Sequence, residues 1–490
     1  MRQRRFTFAD QLAFAELSGD FNPMHVDRIA ARRYMLGQPV VHGVHALLWA
    51  LDNWCQDRDA ALTLRSMKAA FVKPIVLGEL VTYCLVSEQS DRCEIHIRRG
   101  ETVFTKIVVG LTRAVRPASE GRNTGIIDTF PARRSPRVLS RAELEGYSGS
   151  MELYLETTET VRLFPHLSEA VPVFQIAIVL NTSRLVGVEC PGLHSLYSSL
   201  ELEFEDSVGP SMALSYAVSK LDRRLALAYL SIETPAATGR IRAFLPPPPV
   251  EQPSYVSLAT FVQAEEFVGQ KALVIGGSRG LGEVVAKLLA AGGASVRITY
   301  HEGEEDARRI VEDIVANGGH ADHAPLNALD PTQDLARISR DGWVATHCYY
   351  FATPSIFVGL RGVFSAELFR RFCAYYVTGF LSVVDYWRTL GVNCFFYPST
   401  VSVDEVPLGL GEYSAAKAAG EKLCEALCKI HPTLTIYKPR LPRAATDQTV
   451  SLVPVQNHDP VPLMLTELRV FRNNECLPSS DVTGDSRPLR

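Results

Sequence analysis

The chain has 490 residues, 47% of them hydrophobic and 21% charged, with a net charge of −4. At roughly 100–200 residues per domain, that length predicts two to four domains, and the ordinary globular composition excludes disorder over the whole chain. Fifty basic against 54 acidic side chains create no global field for nucleic acid. The best apolar run, Val171 to Leu180, stops at Asn181, short of the roughly 18 residues a spanning helix needs. The opening Met-Arg-Gln-Arg-Arg is followed by Phe6-Thr-Phe-Ala-Asp10, which breaks any signal-like apolar core. Ten cysteines are scattered without a C-x-x-C, the nearest pair being Cys424 and Cys428. Reduced, buried thiols are therefore expected, with no disulfide frame and no metal site. A cytoplasmic chain with neither nucleic-acid nor membrane partners is the expectation.

In chain order, the first feature is Leu17-Ser-Gly-Asp20-Phe-Asn-Pro-Met-His25-Val-Asp27, followed by Gln38-Pro-Val-Val-His42-Gly43. An apolar helical stretch from Val41 to Trp54 comes next, then alternating strands around Ser66 to Phe71 and onward to Tyr83. The same texture returns 133 residues later, with a helical stretch from Val171 to Val188 and strands from Ser199 through Phe204 to Tyr216. Phe and Tyr stand twelve apart in both copies, so an internal duplication is expected, each copy a sheet wrapped over one central helix. Between the copies, Pro117, Gly121, Pro131 and Pro136 interrupt basic sequence and predict a linker. Leu245-Pro-Pro-Pro-Pro-Val250 marks a second boundary, because four prolines remove four amide donors and lock φ. Beyond it, strands (Lys271–Ile275, Ser295–Tyr300) alternate with helices (Glu283–Ala291, Asp306–Asn317) to about Pro439, the pattern of a doubly wound parallel sheet. After Phe471 the chain turns polar and reads as a tail.

Two constellations carry chemistry. Hydration of a double bond beside a carbonyl needs proton acceptors for the water and amide donors where enolate charge develops. Asp20 and His25, turned toward each other by Asn22-Pro23, can bracket one water, and Gly43 at a helix start can supply the amide. A bare D-x4-H is as well explained by a capped Asn-Pro turn; the full string with His42-Gly43 is more specific. The second constellation opens with Gly276-Gly-Ser278-Arg279-Gly280-Leu281-Gly282, joining a strand to a helix where phosphates can meet a helix N-terminus. It continues with Tyr413 and Lys417, four apart on one helix face, where the ammonium is expected to depress the phenol toward neutrality. Ser399 and Thr400 lie upstream as candidate hydroxyl donors. The second strand ends Ile298-Thr-Tyr-His-Glu302 without a carboxylate at its tip, and Arg279 can pair with a 2′-phosphate. That favours NADP, with NAD left open.

The N-terminal string resembles the MaoC-type, (R)-specific enoyl-CoA hydratase family of hot-dog folds, strongly over residues 1–115 and only structurally over about 140–245. The resemblance implies Asp20 and His25 as catalytic residues and the Gly43 amide as oxyanion donor. Residues from Gly269 to Pro442 resemble the short-chain dehydrogenase/reductase family. That implies Tyr413 as proton donor, Lys417 on the nicotinamide ribose, and Thr400, or Ser399 beside it, on the substrate carbonyl. Gly276, Ser278, Arg279, Gly280, Leu281 and Gly282 would hold the cofactor, with Asn327 where the family places an adenine-contacting aspartate. Two positions depart from that family: Tyr350-Phe-Ala-Thr353 stands for Asn-Asn-Ala-Gly, and Tyr376 stands for the asparagine of the proton relay.

The expected fold class is an α+β double hot dog followed by an α/β doubly wound parallel sheet of Rossmann type. The expected domains are 1–115, a catalytic hot dog; 116–142, linker; 143–245, a second, non-catalytic hot dog; 246–256, Pro-rich linker; 257–471, the reductase; and 472–490, tail. A reductase that makes 3-hydroxyacyl thioesters supplies the substrate of an Asp/His dehydratase. The expected function is therefore a bifunctional acyl-thioester enzyme of fatty-acid or polyketide-like metabolism, acting on acyl-CoA or acyl carrier protein substrates, with a homodimer expected from both families. A single-activity enzyme with a binding partner domain, and a non-enzymatic thioester or nucleotide sensor, remain as alternatives. Intact Asp20, His25, Tyr413 and Lys417 argue against a sensor, which needs no proton donors.

Overall fold

The computed structural model describes residues 2–58, 61–112, 133–205, 213–340, 342–359, 362–452 and 455–475. Pro117, Gly121 and Pro131 of the expected first linker, the turn at Gly209-Pro210 and the chain after Glu475 lie outside the described residues. The chain divides into two compact units, Met1–Pro248 with Val450–Val455, and Pro249–Thr449 with Gln456–Arg490.

The first unit is one ten-stranded antiparallel sheet. Its strands are β1 (Gln3–Arg5), β2 (Thr63–Phe71), β3 (Leu80–Glu88), β4 (Arg92–Arg99), β5 (Thr102–Thr112), β6 (Ser148–Glu152), β7 (Leu196–Phe204), β8 (Ala213–Asp222), β9 (Leu227–Thr234) and β10 (Ala237–Phe244). They run in the order β1-β3-β4-β5-β2-β7-β10-β9-β8-β6. The order is the same when read outward from the β2–β7 seam in either direction, which is what a duplication joined by a pseudo-dyad produces. At that seam Lys68 pairs with Glu201, and these two partners are themselves 133 positions apart, the offset of the sequence repeat. Each half carries one long apolar helix, Gly43–Cys55 in the first and Val173–Arg184 in the second. Both are buried on nearly every face, and a single core containing Leu47, Leu51, Trp54, Ile178 and Leu180 serves the two halves. The second helix continues into a wide π-type turn, Leu185–Glu189.

Strands β11 (Lys271–Ile275), β12 (Ser295–Tyr300), β13 (His320–Pro325), β14 (His347–Tyr350), β15 (Cys394–Phe396), β16 (Ser399–Thr400), β17 (Thr435–Tyr437) and β18 (Arg440–Leu441) belong to the second unit. Six of them form a parallel sheet in the order β13-β12-β11-β14-β15-β17, and β16 pairs with β18. The order reverses between β11 and β14, and in open α/β sheets ligands bind at such a reversal. The helices run longer than composition predicted, at Gly280–Ala291 and Glu304–Ala316. Two boundaries also shift. The stretch expected as linker to residue 256 already contains the start of helix Tyr255–Ala259, because Tyr255 buries its ring in the second unit's core. The expected tail begins inside helix Pro460–Glu475, which carries buried Leu468 and Phe471 on one face and polar residues on the other. Of the polar residues after Phe471, Asn473 and Asn474 are exposed on this helix.

A buried ion cluster ties the entry segment to this sheet. Lys287 Nζ lies 3.0 Å from Glu283, 3.0 Å from Asp313 and 3.0 Å from the carbonyl of Pro253. Removing one partner strands buried charge, which costs about 3–5 kcal/mol. Lys287→Met is expected to lower the denaturant midpoint of the second unit accordingly, and an unchanged midpoint would contradict this account.

Candidate active sites

In the first unit, local sequence builds the approach to Asp20. Helix Phe8–Ser18 opens on a capping box, in which Thr7 accepts from the Asp10 amide at 3.1 Å and Asp10 accepts from the Thr7 amide at 2.7 Å. It stops at Gly19, whose φ of +73° is the left-handed cap that glycine adopts without strain. Asp20 follows at once and is buried. Asn22 caps the short helix Pro23–Val26 by accepting from the Met24 amide at 3.1 Å, and that turn carries His25. His25 Nδ1 donates to the carbonyl of Val40 at 2.8 Å, so its Nε2 bears the lone pair.

Ring stacking at 3.9 Å joins His25 to His42, the residue that precedes Gly43 at the start of the central helix. As the first residue of that helix, Gly43 presents an amide that has no partner within the helix. A side chain there would press on the Phe71 ring at 3.0 Å. The sequence-predicted trio of Asp20, His25 and Gly43 is thus gathered at one helix end.

Burial pushes the Asp20 carboxyl up, while His25, Ser183 and the Asn22 amide pull it back. Burial also pushes His25 down, against the pull of Asp20. His42 is held well below its ordinary value, by burial first and by His25 second. Ligand atoms of Asp20, His25 and His42 lie within 4.8 Å of one another, a spacing that suits one water or a small cation. The ring nitrogens of His42 lie 2.9 Å from Gln11 Oε1 and 3.0 Å from the Asp20 carbonyl, and the neutral ring, with one N–H, donates to one of these oxygens at a time.

Several polar groups of this site were not singled out by sequence reasoning. Asn22, inside the quoted string, donates to the carbonyls of Gly187 at 3.0 Å and Leu193 at 3.2 Å. Ser183 donates to Asp20 at 2.7 Å from 163 residues away, which no local pattern could have signalled.

In the second unit, the glycine turn after β11 is built for close approach. Gly276 has φ +77° and Gly280 φ +59°, and a Cβ on Gly282 would lie 2.3 Å from the Gly276 carbonyl. Arg279 caps helix Gly280–Ala291, with Ser278 buried before it and Leu281 partly buried after it. Asn327 follows β13, its amide donating to Asp334 at 2.9 Å and its side chain accepting from Leu329. Such a tight, amide-lined turn fits a dinucleotide pyrophosphate.

Helix Gly411–Ile430 carries Tyr413, Lys417 and Glu421 at successive four-residue steps, all buried. The Thr400 hydroxyl pulls the pKa of the Tyr413 phenol down. Ser399 instead gives its hydroxyl to Glu421, which also binds Arg440. Of the two candidate hydroxyls, then, Ser399 is committed to Glu421, and Thr400 is the one that acts on the Tyr413 phenol. Lys417 Nζ donates to the Pro398 carbonyl at 2.6 Å and sits 4.0 Å above the Tyr376 ring. Tyr376 lies in a π-type turn, Ala374–Gly379, with its hydroxyl 2.5 Å from Thr353.

The expected depression of the phenol is corrected here. Burial pushes Tyr413 up to about 12, and the Thr400 hydroxyl pulls it only part of the way back. Burial likewise pushes Lys417 down to about 7, against Cys424 and Glu421. Desolvation disfavours both charged forms, and it outweighs the attraction that four-residue spacing alone suggested.

The MaoC like domain family matches residues 2–108. Among curated relatives, a 3-oxoacyl-acyl-carrier-protein reductase from Synechocystis is 46% identical over 74 residues, covering 15% of this chain and 30% of the relative. A cyclic-di-GMP-binding biofilm dispersal mediator protein from Escherichia coli K12 is 33% identical over 63 residues, covering 13% and 27%. The chain therefore spans less than a third of the length of these curated relatives. A short-chain dehydrogenase from Burkholderia cenocepacia, solved in complex with NADP, is 23% identical, with a TM-score of 0.38, covering 42% of this chain and 91% of that one. A dehydrogenase/reductase from Sinorhizobium meliloti is 19% identical, with a TM-score of 0.38, covering 45% and 94%. Among the described residues no helix is long and apolar enough to cross a membrane. Residues 2–108 thus match the MaoC like domain.

Proposed function

We propose that this chain is a bifunctional acyl-thioester enzyme, an NADP-dependent 3-oxoacyl reductase joined to an (R)-3-hydroxyacyl dehydratase, equally an enoyl hydratase. The observation that carries it is the coexistence, in one chain, of two proton-handling sets. Asp20 and His25 lie at the Gly43 helix end, and Tyr413 shares one buried helix with Lys417, with the Thr400 hydroxyl acting on its phenol. The mirrored ten-strand sheet supports a double hot dog over 1–115 and 143–245, with one Asp/His set in the first half. The name of the Synechocystis relative supports a 3-oxoacyl thioester as substrate class.

In hydration, His25 Nε2 is the base toward water, because Nδ1 is committed to Val40. Asp20, whose carboxyl burial pushes up, handles the proton at the neighbouring carbon. The Gly43 amide meets the thioester oxygen as negative charge develops there. Neither step requires a metal ion.

In reduction, the glycine turn from Gly276 to Gly282, with Ser278, Arg279 and Leu281, would hold the dinucleotide, and Asn327 would border its adenine. When bound, a nicotinamide cofactor supplies the hydride. The Thr400 hydroxyl holds the substrate carbonyl, and Tyr413 gives its proton to the oxygen. A phenol near 12 is fully protonated at neutral pH, as a donor in this direction must be. Lys417, which donates to the Pro398 carbonyl and lies over the Tyr376 ring, would hold the nicotinamide ribose.

Incubating the full chain with NADPH and a 3-oxoacyl thioester tests both halves. NADPH absorbance falls first and enoyl absorbance then rises. One observation favours a second reading, a dehydratase whose nucleotide unit is catalytically silent. The Tyr376 ring fills the space under Lys417 and its hydroxyl is spent on Thr353, so Lys417 lacks the relay asparagine of the reductase family. NADPH binding without oxidation, across chain lengths and carriers, selects that reading. Cofactor choice is tested separately. NADPH is expected to bind more tightly than NADH, and Arg279→Ala to weaken NADPH about tenfold while sparing NADH, since a charge-assisted bond is worth about 1.5–3 kcal/mol. Equal affinities in the unmutated chain would refute this.

A further inference from the structure

Asp20 is gripped from two sides. From its own turn the Asn22 amide donates to Oδ1 at 3.2 Å, and from the second half Ser183 Oγ donates to Oδ2 at 2.7 Å. Serine inside a helix ordinarily returns its proton to a carbonyl one turn back. The neighbours of Ser183 do so, Thr182 to Val179 at 2.7 Å and Asn181 to Ala177 at 2.8 Å. Ser183 departs from that habit and spends its only proton on a carboxylate 163 residues away.

Directly after Arg184 the helix widens into the π-type turn Leu185–Glu189, a feature found frequently at functional sites. That turn brings Gly187 against Asp20. A Cβ on Gly187 would lie 2.2 Å from Asp20 Oδ1 and 2.6 Å from its Cγ. The Gly187 carbonyl also accepts from Asn22 Nδ2 at 3.0 Å. Packing of two duplicated halves needs only apolar contact. A spent hydroxyl, a missing side chain and an accepting carbonyl converging on one catalytic turn are more than packing requires.

We propose that the second half of the first unit, though it has no Asp/His set of its own, completes the hydratase site by positioning Asp20 through Ser183 and Gly187. The proposal rests on the reading of Asp20 as the acid–base residue. The titratable groups facing Asp20 from the first half are His25 and, stacked behind it, His42. On the second half, the Arg184 guanidinium donates to the Glu152 carbonyl, and Glu189 is paired with Arg134 and Arg137. The contact the second half makes with the carboxylate is therefore the neutral Ser183 hydroxyl. A hydrogen bond to the charged form favours it, so losing that bond moves the protonation midpoint of Asp20 upward.

The test uses the full chain, with Ser183→Ala, Ser183→Thr and Gly187→Ala. Hydration of a 2-enoyl thioester is followed against pH, and the Asp20 carboxyl is titrated by infrared difference against Asp20→Asn. Ser183→Ala is expected to lose about tenfold in kcat with KM little changed. Its alkaline limb, which the protonated Asp20 sets in hydration, and its infrared midpoint are expected to move up by about one to two pH units. Ser183→Thr, which keeps a hydroxyl, restores both. Gly187→Ala displaces the carboxylate and loses more rate; NADPH binding and thermal unfolding report whether that chain is folded. A Ser183→Ala chain with unchanged rate and unshifted midpoint overturns the proposal, as does a loss of rate in it that Ser183→Thr fails to restore. If the unmutated chain hydrates nothing and the infrared midpoint still moves in Ser183→Ala, the contact stands and the hydratase reading falls.

Discussion

Asp20→Asn is expected to abolish hydration of a 2-enoyl thioester, by ~10²–10⁴-fold or more, while the chain stays folded and still binds NADPH. The side chains are the same size, so Gly187, which leaves no room beyond Asp20 Oδ1, accommodates either. The amide oxygen can still accept from Ser183 or from the Asn22 amide, which keeps the turn in place at the cost of one hydrogen bond, about 1 kcal/mol. An amide, however, neither takes nor yields a proton at neutral pH. His25 then stands alone, its ring still fixed by Val40. A folded Asp20→Asn chain that hydrates at near the unmutated rate would refute the role given to Asp20.

Tyr413→Phe is expected to remove ketoreduction by ~10²–10⁴-fold and to spare both nucleotide binding and hydration. The ring keeps its edge-on contacts with Phe372 and Tyr376, so the helix face is unchanged and one donated proton is lost. Thr400 keeps its bond from the Ser402 amide at 3.2 Å. The pH dependence follows from Lys417. With its midpoint near 7, the nucleotide-free protein carries the Lys417 charge below neutrality and loses it as pH rises through that value. Nucleotide affinity that depends on this ammonium is therefore expected to weaken above about pH 7, as a titration at several pH values would show. A Tyr413→Phe chain that reduces a 3-oxoacyl thioester at the unmutated rate would remove the phenol from the mechanism.

Much of the scaffold was legible because its determinants sit within a few residues of one another. The Thr7 capping box, the Gly19 stop and the Asn22-Pro23 turn are local chemistry, and they deliver Asp20 and His25 to one place. Alternation of strand and helix after Val250 announced a parallel sheet because parallel neighbours need a crossover, and a helix between strands supplies it. The repeat offset of 133 reappears in the pairing of Lys68 with Glu201 because a duplicated chain that pairs copy to copy has its pseudo-dyad there. The errors fell at edges. The last turn of helix Pro460–Glu475 read as tail since its polar residues dominate the local composition, and Tyr255 read as linker since the prolines before it hide its burial.

By itself, then, the sequence determined which residues are candidates for the chemistry and which turns present them, because caps, glycine turns and helical periodicity are decided by near neighbours. Only the tertiary structure decided how those residues are tuned. It chose Thr400 over Ser399 by sending the serine hydroxyl to Glu421. It reversed the expected shift of Tyr413, because the cost of burial depends on everything packed around the phenol. It brought Ser183 and Gly187 to Asp20 from more than 160 residues away, a distance over which no local pattern survives and only the packing of one half against the other can act.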